Sequence, residues 1–215
     1  MMYSSLKYMT KMEKIDKFLE YVREETSRNG VTLREENSSS IKMTDSIECS
    51  GYFDSEGEEE LGNTQPTLAF SREREDWLEI LAHEFCHMTQ WLDNIPEWGQ
   101  TDESIKMIDK WLEGEEVDDI DHHINVSRNL ELDNEKRTVR LLERFELPVD
   151  LDLYVRKSNA YVLFYNWMKE TRRWSKPENS PYKNSRVIDA MSSKFDMNYT
   201  SLDPHIREIY EKENI

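Results

Sequence analysis

The sequence predicts an α+β fold that is mainly helical and carries a small, mostly antiparallel sheet. Long stretches of the chain place apolar residues three and four positions apart, which is the spacing of amphipathic helices. Short runs of β-branched and aromatic residues, broken by Asn and Ser clusters, predict strands between residues 31 and 70. The composition, 37% hydrophobic and 34% charged, is typical of a soluble globular protein with a heavily solvated surface.

The predicted elements follow from this periodicity, and most of them end at a Gly, a Pro or a polar cluster. In order, they are a helix at 5–27, strands at 31–33, 41–43, 47–53 and 67–70, and helices at 71–93, 102–113, 118–146, 152–174 and from 203. We expect a single domain over 1–215, with its core at about 31–146 and a helical C-terminal extension at 150–215.

The net charge of −17, from 45 acidic and 28 basic residues, argues against nucleic acid and anionic membranes as partners. One stretch, 155–186, departs from this balance, because it holds eight Lys or Arg against two Glu. This stretch is either a helix packed on the core, whose cations balance the acidic remainder, or a contact surface for an acidic partner such as nucleic acid.

The expected location is the cytoplasm. No run approaches 18 consecutive apolar residues, and the N-terminal residues lack a continuous apolar segment, so neither a transmembrane helix nor a secretory signal is expected. The two cysteines, Cys49 and Cys86, are too few for a disulfide framework, and a reducing compartment is the simpler interpretation. Cys86 is expected to fill space in the core. The sequence does not indicate an oligomeric state.

The chemically informative segment is 81–91, which contains the pattern H-E-x-x-H at His83, Glu84 and His87. Residues four apart lie above one another on one face of a helix, so the two imidazoles can hold one tetrahedral zinc ion. Glu84 directly follows the first histidine and can act as general base toward a water on the metal. The motif therefore predicts zinc-dependent hydrolysis.

A catalytic zinc site needs a third protein ligand, and the predicted helix at 118–146 can supply it. Glu131 and Glu135 share one face of that helix with four apolar residues: Ile120, Ile124, Val139 and Leu142. Inward carboxylates are costly unless they are bound, so Glu131 is the candidate ligand. Glu135, one turn further on, can orient a ligand by hydrogen bonding to it.

The pattern H-E-F-C-H, followed by a later helix with E-x-x-x-E from Glu131 to Glu135, resembles the gluzincin clan of zinc metallopeptidases. The resemblance covers roughly 67–146 and implies a compact, zincin-like domain whose sheet lies beside the active-site helix. It also implies that the strand at 67–70 is an edge strand, along which a peptide or protein substrate could pair.

The same resemblance implies a role for each motif residue. His83, His87 and Glu131 would bind one Zn²⁺ per chain, and Glu84 would be the catalytic base. Glu135 would contact a ligand histidine, although many members of the clan carry Asp at this position. The implied activity is hydrolysis of peptide bonds by a water that zinc and Glu84 activate.

Several alternatives stay open from the sequence. His122 or His123 could be the third ligand in place of Glu131. Any of five residues could donate the hydrogen bond that stabilises an oxyanion, and the sequence does not favour one of them: Tyr154, Tyr161, Tyr165, His122 and His123. A non-catalytic binding or scaffold protein could retain the zinc as a structural ion, and a hydrolase guided to nucleic acid by 155–186 is a third hypothesis.

Overall fold

The computed structural model of the chain describes residues 9–43, 48–57 and 64–215. Seven α-helices and five strands lie within those ranges, which confirms the predicted α+β class. The elements are α1 (Lys11–Arg28), β1 (Thr32–Glu36), β2 (Ile41–Lys42), β3 (Glu48–Cys49), β4 (Gly51–Asp54), β5 (Thr67–Ser71), α2 (Trp77–Leu92), α3 (Trp98–Leu112), α4 (Ile120–Arg144), α5 (Leu151–Thr171), α6 (Ser185–Ala190) and α7 (Pro204–Lys212). Residues 5–8 of the first predicted helix and residue 47 of a predicted strand lie outside the described ranges.

The main sheet has three strands in the order β1-β5-β4. β5 pairs parallel with β1, and it pairs antiparallel with β4, where Phe70 lies opposite Gly51. β2 and β3 form a separate antiparallel pair, so most of the strand pairing is antiparallel, as predicted. The prediction that 67–70 is an edge strand is wrong, because β5 is the central strand and all of its residues are buried. The edges of this sheet are β1 and β4.

Helix α1 begins at a capping box that its sequence encodes. The Glu13 backbone N–H donates to Thr10 Oγ1 at 3.3 Å, and the Thr10 N–H donates to the Glu13 carboxylate at 2.6 Å. The helix buries Phe18 completely, and the Phe18 ring lies 5.4 Å from the ring of Phe145. Residues after α4 therefore complete the packing of the first helix.

The motif helix α2 begins at Trp77 and not at Ser71, because Ser71 ends β5 and residues 72–76 form a turn. In that turn the Arg74 guanidinium donates two hydrogen bonds, of 2.8 and 2.9 Å, to the Asp76 carboxylate. The buried face of α2 packs on β4 and β5. A sheet therefore lies beside the helix that carries the motif.

The described contacts divide the chain into two compact units, each built from two segments of sequence. The first unit comprises 1–93 and 137–149 and contains the main sheet, α1 and α2. The second comprises 94–136 and 150–215, and its core cluster includes the buried face of α5. Helix α4 contributes residues to both units. The single domain with a C-terminal extension stays a prediction.

Side-chain caps begin α5, α6 and α7, and Asn184 is the cap of α6. Asp150 Oδ1 accepts from the Leu153 N–H at 3.1 Å at the start of α5. Asp203 Oδ1 accepts from the His205 N–H at 2.8 Å at the start of α7, where Pro204 holds the first helical position, as predicted. Among the described residues, no helix is both long and apolar enough to cross a lipid bilayer.

Candidate metal centre

The two motif histidines lie on successive turns of α2. The rings of His83 and His87 have centroids 4.8 Å apart, and their planes are inclined by 82°. Both side chains are part-buried. Such a pair presents two imidazole nitrogens from one rigid helix to one point in space.

Gln90 holds His87 in the form that binds a metal. The His87 Nδ1–H donates to Gln90 Oε1 at 2.9 Å, and this hydrogen bond leaves Nε2 with its lone pair. Burial, followed by the neighbouring His83, lowers the pKa of His87 from 6.5 to about 3, so the imidazole is neutral at pH 7. Gln90 is fully buried. The sequence analysis missed its role, although a polar residue three positions after a ligand on the same helix is a usable signal.

Arg137 fastens α4 to the C-terminal end of α2 inside the first unit. Its guanidinium donates to Thr89 Oγ1 at 3.2 Å and to Asp93 Oδ2 at 2.5 Å. Both partners follow the motif on α2, and sequence reasoning did not single out this contact. Glu131 stands six residues before Arg137 on the same continuous helix, about 9 Å along the helix axis.

Three predicted ligands come together. His83, His87 and Glu131 each offer one ligand atom, and these atoms all lie within 4.8 Å of one another. Among the described residues this is the one group of three or more His, Cys, Asp or Glu with such spacing. Two imidazole nitrogens and one carboxylate oxygen are donors that suit zinc, and a tetrahedral site spaces its ligand atoms by about 3.3 Å. The donor types therefore suit a zinc ion, which would draw the three ligand atoms closer together.

Glu84 lies against the edge strand β4. A methyl group added at Gly51 would lie 3.2 Å from Glu84 Cγ and 2.6 Å from Ile80 Cγ2, so the backbone of β4 approaches α2 at a position where a side chain does not fit. Burial, and then the charge of Glu84, raise the pKa of the Cys49 thiol to about 11. The Glu84 side chain thus lies beside β4, on the same helix as the two motif histidines, and a carboxylate can accept a proton.

Glu135 is buried and accepts a hydrogen bond of 2.7 Å from Ser158 Oγ of α5. Its predicted contact with a ligand histidine stays a prediction. A second bond, 3.1 Å from Arg128 Nη1 to Asn166 Oδ1, joins the same two helices. The two bonds fix an antiparallel register that brings Glu131 opposite the turn of α5 between them.

Tyr161 and Tyr165 occupy that turn of α5. Their hydroxyl oxygens are 3.3 Å apart, and their ring centroids are 5.7 Å apart. Burial raises the pKa of both hydroxyls, and the negative charge of Glu131 raises it further. Both groups therefore stay protonated and can donate hydrogen bonds across the neutral pH range.

The other candidates lie elsewhere. His122 and His123 are not members of the group formed with Glu131, and His123 Nδ1 instead lies 3.3 Å from Ser104 Oγ. Tyr154 is buried at the start of α5. Cys86 is a buried free thiol, in agreement with its predicted place in the core.

Comparisons with known proteins yield no relative. No family model, no curated protein and no solved structure matches the chain. The chemistry of the residues around α2 and α4 is therefore the basis for any functional proposal.

Proposed function

We propose that this chain is a zinc-dependent metallopeptidase that hydrolyses peptide bonds in a peptide or protein substrate. The observation that carries the proposal is the convergence of His83, His87 and Glu131, with Glu84 on the same helix as the two histidines. The gluzincin resemblance implies this arrangement, in which the third ligand is a carboxylate from a separate helix. The proposal assigns one Zn²⁺ to this group.

The residues of the chain would divide the chemical work. A bound zinc ion supplies Lewis acidity, which acidifies water and polarises a carbonyl group. The Glu84 carboxylate would take one proton from the attacking water and deliver it to the nitrogen of the departing amine as the C–N bond breaks. The hydroxyls of Tyr161 and Tyr165 are available to donate a hydrogen bond to the developing oxyanion.

The proposal includes a reducing compartment such as the cytoplasm, because both cysteines are free thiols. The net charge of −17 disfavours nucleic acid as the substrate, because the phosphates of nucleic acid are also negative. The competing function is a non-catalytic binding protein whose zinc is structural. Both functions share the metal and differ in what Glu84 does.

The first experiment measures zinc per chain by elemental mass spectrometry on untagged protein purified without chelator. We expect one zinc in the wild type and its loss in His87→Ala and in Glu131→Ala. Matched controls are His123→Ala and Glu143→Ala, which remove the same residue types outside the proposed site and should keep the metal. Zinc lost in His87→Ala and retained in Glu131→Ala would refute Glu131 as a ligand.

The second experiment compares wild type with Glu84→Gln on a library of unstructured peptides. The proposal expects cleavage by the wild type and a loss of at least about a hundredfold in kcat/KM in Glu84→Gln, with the zinc content unchanged. If zinc-loaded wild type cleaves none of the peptides and Glu84→Gln binds the same peptides equally well, the results would favour the structural-zinc alternative.

A further inference from the structure

We infer that an exposed surface of the second unit, formed by Trp174, Tyr182, Arg173, Lys176 and Lys183, binds an extended peptide segment that carries an aromatic side chain flanked by Asp or Glu. We call these five residues the basic aromatic patch. The inference rests on the proposed function and names the class of substrate that the same site would take.

The cations of 155–186 separate into two groups. Four of the eight, none of them in the patch, are engaged within the protein by carbonyl or carboxylate oxygens: Arg156 with Asp189 and Met191, Lys169 with Asp121, Arg172 with Trp111 and Glu115, and Arg186 with Glu213. These contacts support the interpretation in which the cations of this stretch balance the acidic remainder of the chain. Within the patch, Lys183 donates to the Pro177 carbonyl. The three cations of the patch are exposed, and none has a carboxylate at ion-pair distance among the described residues.

Two exposed aromatic rings lie in the same short stretch as the three patch cations. Trp174 is 49% exposed and Tyr182 is 40% exposed, in a chain that buries most of its large apolar side chains. Lys183 Nζ donates to the Pro177 carbonyl at 3.0 Å and lies 5.7 Å from the centroid of the Tyr182 ring. Exposed aromatic rings and exposed cations in one short stretch are typical of a contact surface.

Both exposed rings pack against aromatic rings of α5. Trp174 makes edge contacts with Phe164, at 5.3 Å between centroids, and with Tyr165, at 6.0 Å. Tyr182 contacts Tyr161 edge-on at 5.8 Å. The rings are thus presented in a fixed orientation, which lowers the entropy lost when a partner binds.

The same ring contacts connect the patch to the proposed metal group. One contact leads from each exposed ring to a tyrosine of the hydroxyl pair, and that pair lies beside Glu131. The charge of Glu131 raises the pKa of both tyrosine hydroxyls. Because of this connection, we assign the patch to the substrate that the proposed site would take.

Charge decides the class of the occupant. Between 173 and 183 three cations face one acid, Glu178, whereas the whole chain carries a net charge of −17. A short acidic peptide is attracted by the local cations, while a long polyanion such as single-stranded nucleic acid meets repulsion from the rest of the surface. The aromatic rings supply the apolar contact for the aromatic side chain of the peptide.

The test measures binding of fluorescein-labelled nine-residue peptides to zinc-loaded Glu84→Gln protein by fluorescence anisotropy. One peptide has a central Phe flanked by Asp and Glu, a second replaces the acids with Lys, and a third replaces the Phe with Ala. We expect the first peptide to bind at least about tenfold more tightly than the other two. Trp174→Ala and Lys176→Glu should each weaken it by about tenfold. Ile105→Ala and Lys106→Glu, which change an exposed apolar residue and an exposed cation on α3, should leave it unchanged.

The outcomes separate this inference from the proposed function. Equal affinity for acidic and basic peptides, or wild-type affinity in the two patch variants, overturns the patch. A thymidine oligonucleotide that binds the patch more tightly than the acidic peptide replaces the peptide with nucleic acid. Selective peptide binding without any cleavage by zinc-loaded wild type leaves the patch intact and overturns the peptidase. Cleavage with an unchanged KM in the patch variants overturns the patch and leaves the proposed peptidase intact.

Discussion

His87 makes the stability of the zinc-free protein depend on pH. Its folded pKa of about 3 lies below the unfolded value of 6.5, so the stabilisation is fully present above pH 6.5 and is lost as the pH falls toward 3. We expect the free energy of unfolding in EDTA to be about 1–2 kcal/mol lower at pH 5 than at pH 7 because of this residue. Urea unfolding at the two pH values measures the difference.

The His87→Gln variant isolates this contribution from that of other titrating groups. Glutamine keeps a polar side chain of similar length without an ionisation near neutral pH. The variant should lose less stability than wild type between pH 7 and pH 5. An equal loss in both proteins would contradict the assignment.

Cys49 should react slowly with alkylating reagents. Only the thiolate is nucleophilic, and the pKa of this thiol is raised to about 11 by burial and by Glu84. At pH 8 we expect iodoacetamide to modify Cys49 roughly a hundred times more slowly in the native protein than in the chain unfolded by guanidinium. Peptide mass spectrometry follows the reaction, and Glu84→Gln should accelerate it. Native and unfolded rates within a factor of two would contradict the raised pKa, and equal rates in wild type and Glu84→Gln would show that Glu84 does not contribute to it.

Among individual residues, the sequence predicted those that belong to a motif or stand out on a helical face. The spacing of His83 and His87 follows from the helix repeat, and Glu131 follows from an acidic position on an otherwise apolar face. Gln90 and Arg137 were not predicted, because their roles depend on which neighbouring side chain they meet. Composition and spacing do not encode that information for polar residues on helices.

The contact between β4 and α2 depends on the absence of a side chain at one position. Gly51→Ala would place its Cβ 2.6 Å from Ile80 Cγ2 and 2.9 Å from the Ala69 carbonyl oxygen, and both distances are too short. We expect the free energy of unfolding to fall by about 1–3 kcal/mol. The proposed peptidase activity should fall further than the folded fraction does, because Glu84 must move as well. Urea unfolding and initial rates measure the two effects.

Gly99→Ala is the matched control for this substitution. Gly99 lies in α3, and a Cβ built there has no heavy atom within 4 Å. Alanine should leave stability unchanged or raise it by up to about 0.5 kcal/mol, because glycine is a poor helix former. Destabilisation by both substitutions would remove the steric explanation for Gly51.

Elements were predicted where periodicity was strong and misplaced where two elements adjoin. α4 was expected at 118–146 and lies at Ile120–Arg144. The structure also buries four polar residues of α4 that were not among the six predicted inward residues: Ser127, Arg128, Asn134 and Thr138. The central position of β5 was missed because strand order depends on long-range pairing, and a short apolar run fits an edge and a centre equally well.

The excess of negative charge acts on the whole molecule. The chain has a net charge of −17, and its negative groups repel one another more strongly in the compact folded state than in the expanded unfolded state. Raising NaCl from 20 to 200 mM should therefore increase the melting temperature by about 2–5 °C at pH 7. Differential scanning fluorimetry measures the shift. A melting temperature that falls with salt would show that the exposed ion pairs outweigh the repulsion.

The fold class was predictable from the sequence, whereas the grouping of segments was not. Helical periodicity and short β-branched runs establish an α+β chain independently of how the elements pack. The assignment of 137–149 to the unit that contains the sheet depends on contacts such as Phe145 with Phe18. Such contacts join residues more than a hundred positions apart, and no local sequence pattern predicts them.

This distant joining sets the order in which the newly made chain can mature. The first 93 residues leave the ribosome before the segment that supplies Phe145, whose ring also lies 5.1 Å from Tyr21, and before Glu146, which pairs with Lys14. Until that segment emerges, one apolar side of α1 faces water or a chaperone. The motif helix belongs to the same unit, so synthesis must pass residue 149 before the surroundings of His83 and His87 are complete.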